Sequence, residues 1–543
     1  MADDNIADPQ PADGQSEEQQ PVLIVIRQTP DGSQPVAAAQ ADVPNAAAAD
    51  GTAPQAADGT ADFFSILNQA GLTASGVFSD EDGAGAGTAG APDAPGAQAS
   101  TPATPSAADG LGLENFFAVF APLDKLQGLV DTLLASPDVA AAYIKPFDEL
   151  PVAPGAPATP SASGTANPAP ATTPDFTPRQ GYLDPAPAGI DARYAWTCAG
   201  GDGNGVQIID IEGGWQTTHE DLIQNQGGVV GGAAFTGPKW VNHGTAVLGE
   251  FSGDDNAFGV TGICPQATVR MISHRTALSS TQIRKAANLL SAGDIILLEM
   301  HRPGPRHNFQ NRDDQLGYIA VEYWQDDYAA ILYATRKGII VVEAAGNGAE
   351  NLDDPLYNTK PVGFPKEWSN PFVRGSRDCG AILVGAGSPP PTTHGRDPAT
   401  NSGDLTTDRA RLEFSNYGSA VDVQGWGREV TSTGYNDLQG GTDQNRWYTD
   451  TFSGTSSASP IVVGAVGCMQ GVRKAANLAV LSPDQVRYIF RTTGSPQQDG
   501  AFGAATQRIG NRPDLRVILP LIVSTTYNAN DGVSAQPDGT AVV

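Results

Sequence analysis

Basic residues are scarce in this chain: 31 Lys and Arg stand against 60 Asp and Glu, a formal net charge of −29 at pH 7. Phosphate binding needs a basic patch, and none is visible, which argues against a nucleic-acid partner. Cysteine is rarer still. Cys198, Cys264, Cys379 and Cys468 are far apart and form no Cys-x-x-Cys pair, so their spacing gives no zinc site; buried free thiols are expected, with two disulfides left open. No run approaches the ~18 consecutive apolar residues of a transmembrane helix, so no membrane span is expected. The start, MADDNIADPQ, is acidic where a secretory leader has a basic region and then an apolar run. The expected location is the cytoplasm, or outside it by a route other than Sec.

The acidity is uneven. Residues 1–175 hold 23 Asp and Glu against 3 Lys and Arg, and the remainder holds 37 against 28. Residues 1–20, 28–60, 80–110 and 151–175 are Ala/Pro/Gly/Asp/Ser/Thr tracts, too poor in apolar side chains to offset chain entropy, and are expected to be disordered. Between them lie short patterned islands. PVLIVIRQ (21–28), LENFFAVFAP (113–122) and VAAAYIKP (139–146) read as strands, with another at ASGVFS (74–79). ADFFSILNQAGL (61–72) and PLDKLQGLVDTLLASP (122–137) read as helices, the second with Leu123, Leu126, Leu129, Val130, Leu133 and Leu134 at helical spacing. Beyond residue 177 the apolar runs at 206–211, 267–272, 294–299, 338–345, 381–386 and 420–425 alternate with helix-like segments. That alternation predicts a mostly parallel sheet covered on both faces, hence one large α/β domain over 177–522.

Three segments carry chemistry. In VQIIDIEGGWQTTHEDL, Asp210 stands at the C-terminal end of an apolar strand, where open parallel sheets present catalytic groups. In NHGTAVLGEF, His243 precedes an apolar helical stretch and is expected at a helix start. In FSGTSSASPIVVGAVG, Gly454-Thr455 gives a tight turn and Pro460 belongs in a first helical turn. Of the four serines there, that places Ser456 at the helix N-terminus, where backbone N–H groups face a developing oxyanion.

Together these segments resemble the subtilisin-like serine proteases (subtilases). The family motifs are an Asp in a strand-turn, His-Gly-Thr, and Gly-Thr-Ser-x-Ala-x-Pro, matched in order by Asp210, His243-Gly244-Thr245 and Gly454 to Pro460. A fourth motif, Ala-Ala-Gly-Asn, is matched by Ala344 to Asn347. The resemblance implies a subtilisin-like three-layer domain over 177–522 and a serine endopeptidase. Asp210, His243 and Ser456 would form the triad, Asn347 the oxyanion hole, and Met300, His301, Ala344 and Gly346 would line the substrate cleft. It implies a protein or peptide substrate, no required cofactor and no catalytic metal; structural calcium is compatible, with the Asp-containing loops 253–256 and 350–354 as places for it. A lipase or esterase reading fails, since Gly-x-Ser-x-Gly and the order Ser, Asp, His are both missing. A catalytically idle binding module on the same scaffold is the alternative from another class.

Departures concern carboxylates. The family usually follows its Asp with Ser/Thr-Gly, whereas Asp210 is followed by Ile211-Glu212. Glu299 and Glu343 also fall in segments that the resemblance puts near the cleft. They suggest a basic residue before the cleaved bond, a coupled carboxylate pair, or plain internal hydrogen bonding. His219-Glu220-Asp221 reads as structural rather than as a metal cluster, because consecutive residues do not converge on one ion, and His274, His301, His307 and His394 have no carboxylate or thiol pattern around them. The resemblance further implies that 21–150 is a small α+β propeptide-like region interrupted by disordered acidic insertions, an inhibitor of the site, between a disordered 1–20 and a linker at 151–176. A separate inhibitor could fill that role, and the plain alternative is an acidic tail. Residues 523–543 read as a C-terminal tail.

Overall fold

A computed structural model describes residues 21–29, 62–79, 110–151, 170–395 and 407–524. Most of the low-complexity tracts, and the tail beyond 524, lie outside these residues.

The islands of the N-terminal third assemble into one sheet. Strands β1 (Val22–Arg27), β2 (Ser75–Gly76), β3 (Phe116–Phe120) and β4 (Val139–Lys145) run antiparallel in the order β2-β3-β1-β4. Helices α1 (Phe63–Gln69) and α2 (Leu123–Leu134) cover one face. Asp62 caps α1 by accepting from Ser65 N at 2.9 Å. The alternation of β1 explains the two-sided packing. Leu23 and Val25 join Phe63, Leu126 and Leu133 in a core private to this unit. Val22, Ile24 and Ile26 point the other way, into a core shared with the large domain.

The large domain centres on seven parallel strands in the order β13-β12-β11-β8-β5-β7-β6, namely β5 (Gln207–Glu212), β6 (Gln226–Gly231), β7 (Thr268–Ser273), β8 (Ile295–Leu298), β11 (Ile340–Ala344), β12 (Ile382–Gly387) and β13 (Val421–Trp426). Their side chains are almost all buried, apart from those of the edge strand β6, which is why the interior strands read as continuous apolar runs. Helices α3 (Pro238–Ser252) and α6 (Thr455–Ala475) pack on one face. Helices α4 (Ser279–Leu289) and α5 (Gln325–Arg336) pack on the other, the face that receives the N-terminal sheet. Two small antiparallel pairs complete the cleft walls: β9 (His301–Pro303) with β10 (Tyr318–Ala320), and β14 (Val430–Thr433) with β15 (Tyr448–Phe452). Residues 170–176, expected as linker, are anchored on the large domain, with Phe176 N donating to Gly259 O at 2.7 Å.

The N-terminal sheet docks through buried charge. Lys145, at the end of β4, places Nζ 2.5 Å from Asp326 Oδ2 and 2.8 Å from Asp327 Oδ2, both in the first turn of α5. Tyr143 Oη donates to Asp326 Oδ1 at 2.9 Å. All four side chains are buried, so removing Lys145 would leave a doubly acidic helix start with Arg302, at 3.5 Å from Asp327, as its remaining cation among the described residues.

Candidate active site

His243 sits in the second turn of α3, not at the helix start, because the helix begins five residues earlier at Pro238, a residue preorganised for that position. Its Nδ1 lies 2.5 Å from a carboxylate oxygen, and that oxygen belongs to Glu212. Asp210, the acid expected from the sequence, is two residues back on the same face of β5 and faces elsewhere, accepting from Trp215 Nε1 at 2.7 Å. The physical reason is reach: β5 runs to Glu212, so the last inward-facing side chain of the strand meets the imidazole. A signal was present in the sequence. Gly213-Gly214 follows Glu212 and supplies the glycine of the family's Ser/Thr-Gly, which Ile211-Glu212 after Asp210 does not.

Ser456 is the second residue of α6 and is fully buried. Its hydroxyl does not meet His243, whose Nε2 has no hydrogen-bond partner; it donates to the main-chain oxygen of Pro151 at 3.1 Å. Asn347 is locked beside it, since its Oδ1 accepts from both Thr455 N and Thr455 Oγ1 at 2.9 Å. That fixes which way the amide faces and leaves Nδ2 buried without a partner. Gly454, the N-cap of α6, has φ +117°, and a Cβ there would stand 2.4 Å from Pro151 O and 3.2 Å from Asn347 Nδ2. Only glycine accommodates both the backbone and the close approach. Pro460 falls in the second turn of α6 rather than the first, where its missing N–H would have bonded the Ser456 carbonyl four residues back.

Residues 148–151, at the end of the N-terminal unit, thread the cleft. Glu149 and His301 exchange backbone bonds (Glu149 N to His301 O, 3.0 Å; His301 N to Glu149 O, 3.1 Å), extending the β9–β10 pair by one antiparallel neighbour. Gln315 Nε2 donates to Leu150 O at 2.8 Å. Met300 is buried between β8 and β9, Ala344 closes β11, and Gly346 takes φ +97° with its carbonyl accepting from Asn416 N at 3.0 Å. Of the four residues expected to line the cleft, His301 is the one that exchanges main-chain bonds with this segment. Gln315, Tyr318, Arg302 and His274 also touch it and were missed. His274, which has no carboxylate near it in sequence, has Asp148 at 3.2 Å in space.

The electrostatics of the floor are unusual. Asp210, Glu212, Glu250 and Glu299 are all fully buried. Burial pushes the carboxyls of Asp210, Glu250 and Glu299 well above the usual range, and neighbouring carboxylates push in the same direction. Burial also lowers His243 to about 3, so its imidazole is neutral around pH 7. Glu299 is fully buried beside Ser456, whose hydroxyl works against the rise in its proton affinity. Its Oε1 accepts from Ser459 Oγ, one turn along α6 from Ser456. Glu343 accepts from Glu322 N at 3.2 Å.

The remaining acidic candidates have separate duties. His219 contacts Trp447 O at 2.9 Å, Glu220 is the partner of Thr173 and Tyr448, and Asp221 accepts from Val260 N and Asn256. In the two loops considered for calcium, Asp254 accepts from Ile223 N and Gln224 N, Asp353 from Ser419, and Asp354 from Leu356 N and Arg306. Among the described residues no group of three or more His, Cys, Asp or Glu is placed to hold a metal ion. All four cysteines are unpaired thiols, and no helix among the described residues is long and apolar enough to cross a membrane.

The sequence model of the Subtilase family matches residues 230–511, a span that includes His243, Asn347 and Ser456 and starts after Glu212. Thermitase of Thermoactinomyces vulgaris is 28% identical over 320 residues, covering 56% of this chain and 89% of thermitase. Subtilisin NAT of Bacillus subtilis subsp. natto is 26% identical over 296 residues, covering 52% of this chain and 61% of that protein, so the match spans under two thirds of that relative. Among solved structures, a protease of Pseudoalteromonas arctica PAMC 21717 gives a TM-score of 0.42 at 18% identity, covering 65% of this chain and 100% of the other. With more than half of its residues inside the family's span, the chain belongs to the subtilase family.

Proposed function

We propose that the protein is a serine endopeptidase with Ser456 as nucleophile, His243 as general base and Glu212 as the acid that orients it. The observation that carries this reading is the contact of Ser456 Oγ with a peptide carbonyl oxygen, that of Pro151, beside the unpartnered Asn347 Nδ2. The 2.5 Å contact requires one hydrogen between His243 Nδ1 and Glu212 Oε1. With Nδ1–H donating, the lone pair of Nε2 is left to accept the serine proton. Ser456 Oγ then adds to the carbonyl carbon, and the oxygen that gains charge takes a hydrogen bond from Asn347 Nδ2 and the field of the α6 N-terminus. Return of the proton from His243 to the leaving nitrogen gives the acyl-enzyme, and a water activated by the same base releases it.

Residues 148–151 act in this reading as a built-in occupant of the cleft, with the Pro151 carbonyl in position for attack. Its support is the antiparallel pairing of Glu149 with His301 and the buried Lys145 anchor. The test is a fluorophosphonate probe on the full chain and on Ser456→Ala, read by intact mass. Label on Ser456, lost in the variant, is the expected result, with turnover falling by about 10⁶. A wild-type chain that neither takes the label nor cleaves any peptide, even after limited proteolysis of its N-terminal third, would leave only the idle-scaffold reading.

A further inference from the structure

The segment lying in the cleft carries two carboxylates, and the cleft wall answers both. Counted back from Pro151, whose carbonyl meets Ser456, Leu150 is the second residue, Glu149 the third and Asp148 the fourth. Asp148 Oδ2 lies 3.3 Å from Arg302 Nη2 and 3.2 Å from His274 Nδ1. Asp148, Arg302 and His274 are all buried. Arg302 belongs to β9, the strand that pairs with the segment, and His274 follows β7, so both stay with the large domain whatever peptide occupies the cleft. The guanidinium is aimed by that domain, through Nη2 to Ser279 Oγ at 2.7 Å and by its position over the Trp324 ring. Its other terminal nitrogen donates to Pro146 O at 2.6 Å, so it also reads main chain beyond the carboxylate.

Arg302 Nε lies 3.5 Å from Asp327 of the large domain, while Nη2 is turned to the peptide and finds its anion there in Asp148. An apolar side chain at the fourth position would leave it without this partner, and a basic one would add repulsion. The third position is milder: Glu149 Oε1 accepts from Tyr318 Oη at 2.8 Å, a neutral donor that holds an acid or an amide equally well. Leu150 is fully buried, which asks for an apolar second residue.

We propose that this cleft selects peptides bearing a carboxylate side chain four residues before the cleaved bond, with Arg302 and His274 as the residues that read it. This rests on Ser456 being the nucleophile, and it names the substrate class of that site: extended acidic peptides of the form Asp-Glu-Leu-Pro.

The test uses the full chain, as wild type and as Asp148→Lys, which sets a like charge against Arg302 and opens the cleft. Active sites are counted by fluorophosphonate labelling, and cleavage per labelled site is measured on Asp-Glu-Leu-Pro, Ala-Glu-Leu-Pro and Lys-Glu-Leu-Pro, each carrying a fluorogenic leaving group. The expected kcat/KM is about ten- to a hundredfold higher for Asp than for Ala, the range for a hydrogen bond to a charged partner, with Lys lowest. The ratio of Asp to Ala should collapse in Arg302→Gln and return in part in Arg302→Lys. Labelled sites that cleave the three peptides at equal rates would overturn the inference and leave the protease standing, Asp148 then serving only to fasten the N-terminal unit. Failure of both forms to label or cleave would bring down the proposed function, and this inference with it.

Discussion

Two buried charge clusters flank the cleft, and they are built on opposite plans. On the outer wall, Lys145 and Arg302 stand among Asp148, Asp326 and Asp327, each cation within 4 Å of two carboxylates. On the floor, Asp210, Glu212, Glu250 and Glu299 pair with no Lys or Arg among the described residues, and each keeps an oxygen without a hydrogen bond. The outer cluster can hold charge because two cations stand among its three carboxylates. The floor can stay buried only by keeping protons on most of its acids; burial pushes Glu212 up as well, and what sets it apart is its contact with the His243 imidazole. The difference separates docking, done by ion pairs, from chemistry, done where a lone charge is hard to hold.

The sharpest break sets the two acids of β5 against each other. Glu212→Ala should lower kcat/KM by about 10⁴, the scale for losing a triad carboxylate, whereas Asp210→Asn should cost under about tenfold. Steady-state kinetics on any cleaved peptide decides between them, and the reverse ranking would return the role to Asp210. On the outer wall, Lys145→Met strips two buried aspartates of their nearest cation. Breaking a buried pair costs about 3–5 kcal/mol, so the intact chain should melt at lower temperature and react with fluorophosphonate faster. Asn347→Ala should reduce kcat by about 10²–10³ with KM little changed, since its free N–H serves only the charged intermediate.

The smallest effect concerns protons on the floor. Glu250, with both carboxylate oxygens unpartnered, has its proton affinity raised in the fold by burial and by Glu299. An acid held protonated by the fold contributes stability at pH below its unfolded value near 4.3 and loses it as pH rises toward the folded value. Glu250→Gln removes that slope. Its unfolding free energy relative to wild type should therefore climb with pH above about 4, by at most about 1.4 kcal/mol per pH unit, read from denaturant melts. Identical profiles from pH 4 to 9 would show that Glu250 is not protonated in the fold.

Much of this was legible in the sequence, and the exceptions share a cause. The apolar runs at 206–211, 294–299, 338–345 and 420–425 each hold a strand of the seven-stranded sheet, because buried parallel strands leave no polar face to blur the pattern. The islands at 21–28, 113–122 and 139–146 likewise hold β1, β3 and β4. His243, Asn347 and Ser456 stand in short contiguous motifs, and the structure fastens Asn347 to Thr455, the neighbour of Ser456, with Ser456 on the Pro151 carbonyl. Asp210 was expected beside His243 and Glu212 stands there instead, because β5 carries carboxylates at both 210 and 212 and a period of two puts them on one face; only the end of the strand separates them. The pairing of Asp148 with Arg302 joins residues 154 positions apart. No local pattern encodes it, since it exists only once the N-terminal sheet has docked on α4 and α5.

Pro151 has no N–H to offer, so within the cleft the bonds exchanged main chain to main chain are the two at Glu149. As a free peptide, residues 148–151 would be a modest competitor. Joined to β4 through Pro146 and Phe147, they compete at an effective concentration set by geometry, which diluting the protein does not change. A single break after Pro151 leaves that tether to the N-terminal unit intact but cuts the covalent link to the large domain. The competition then changes order, from a ratio fixed within each molecule to an equilibrium between two, and dilution alone begins to favour the open cleft.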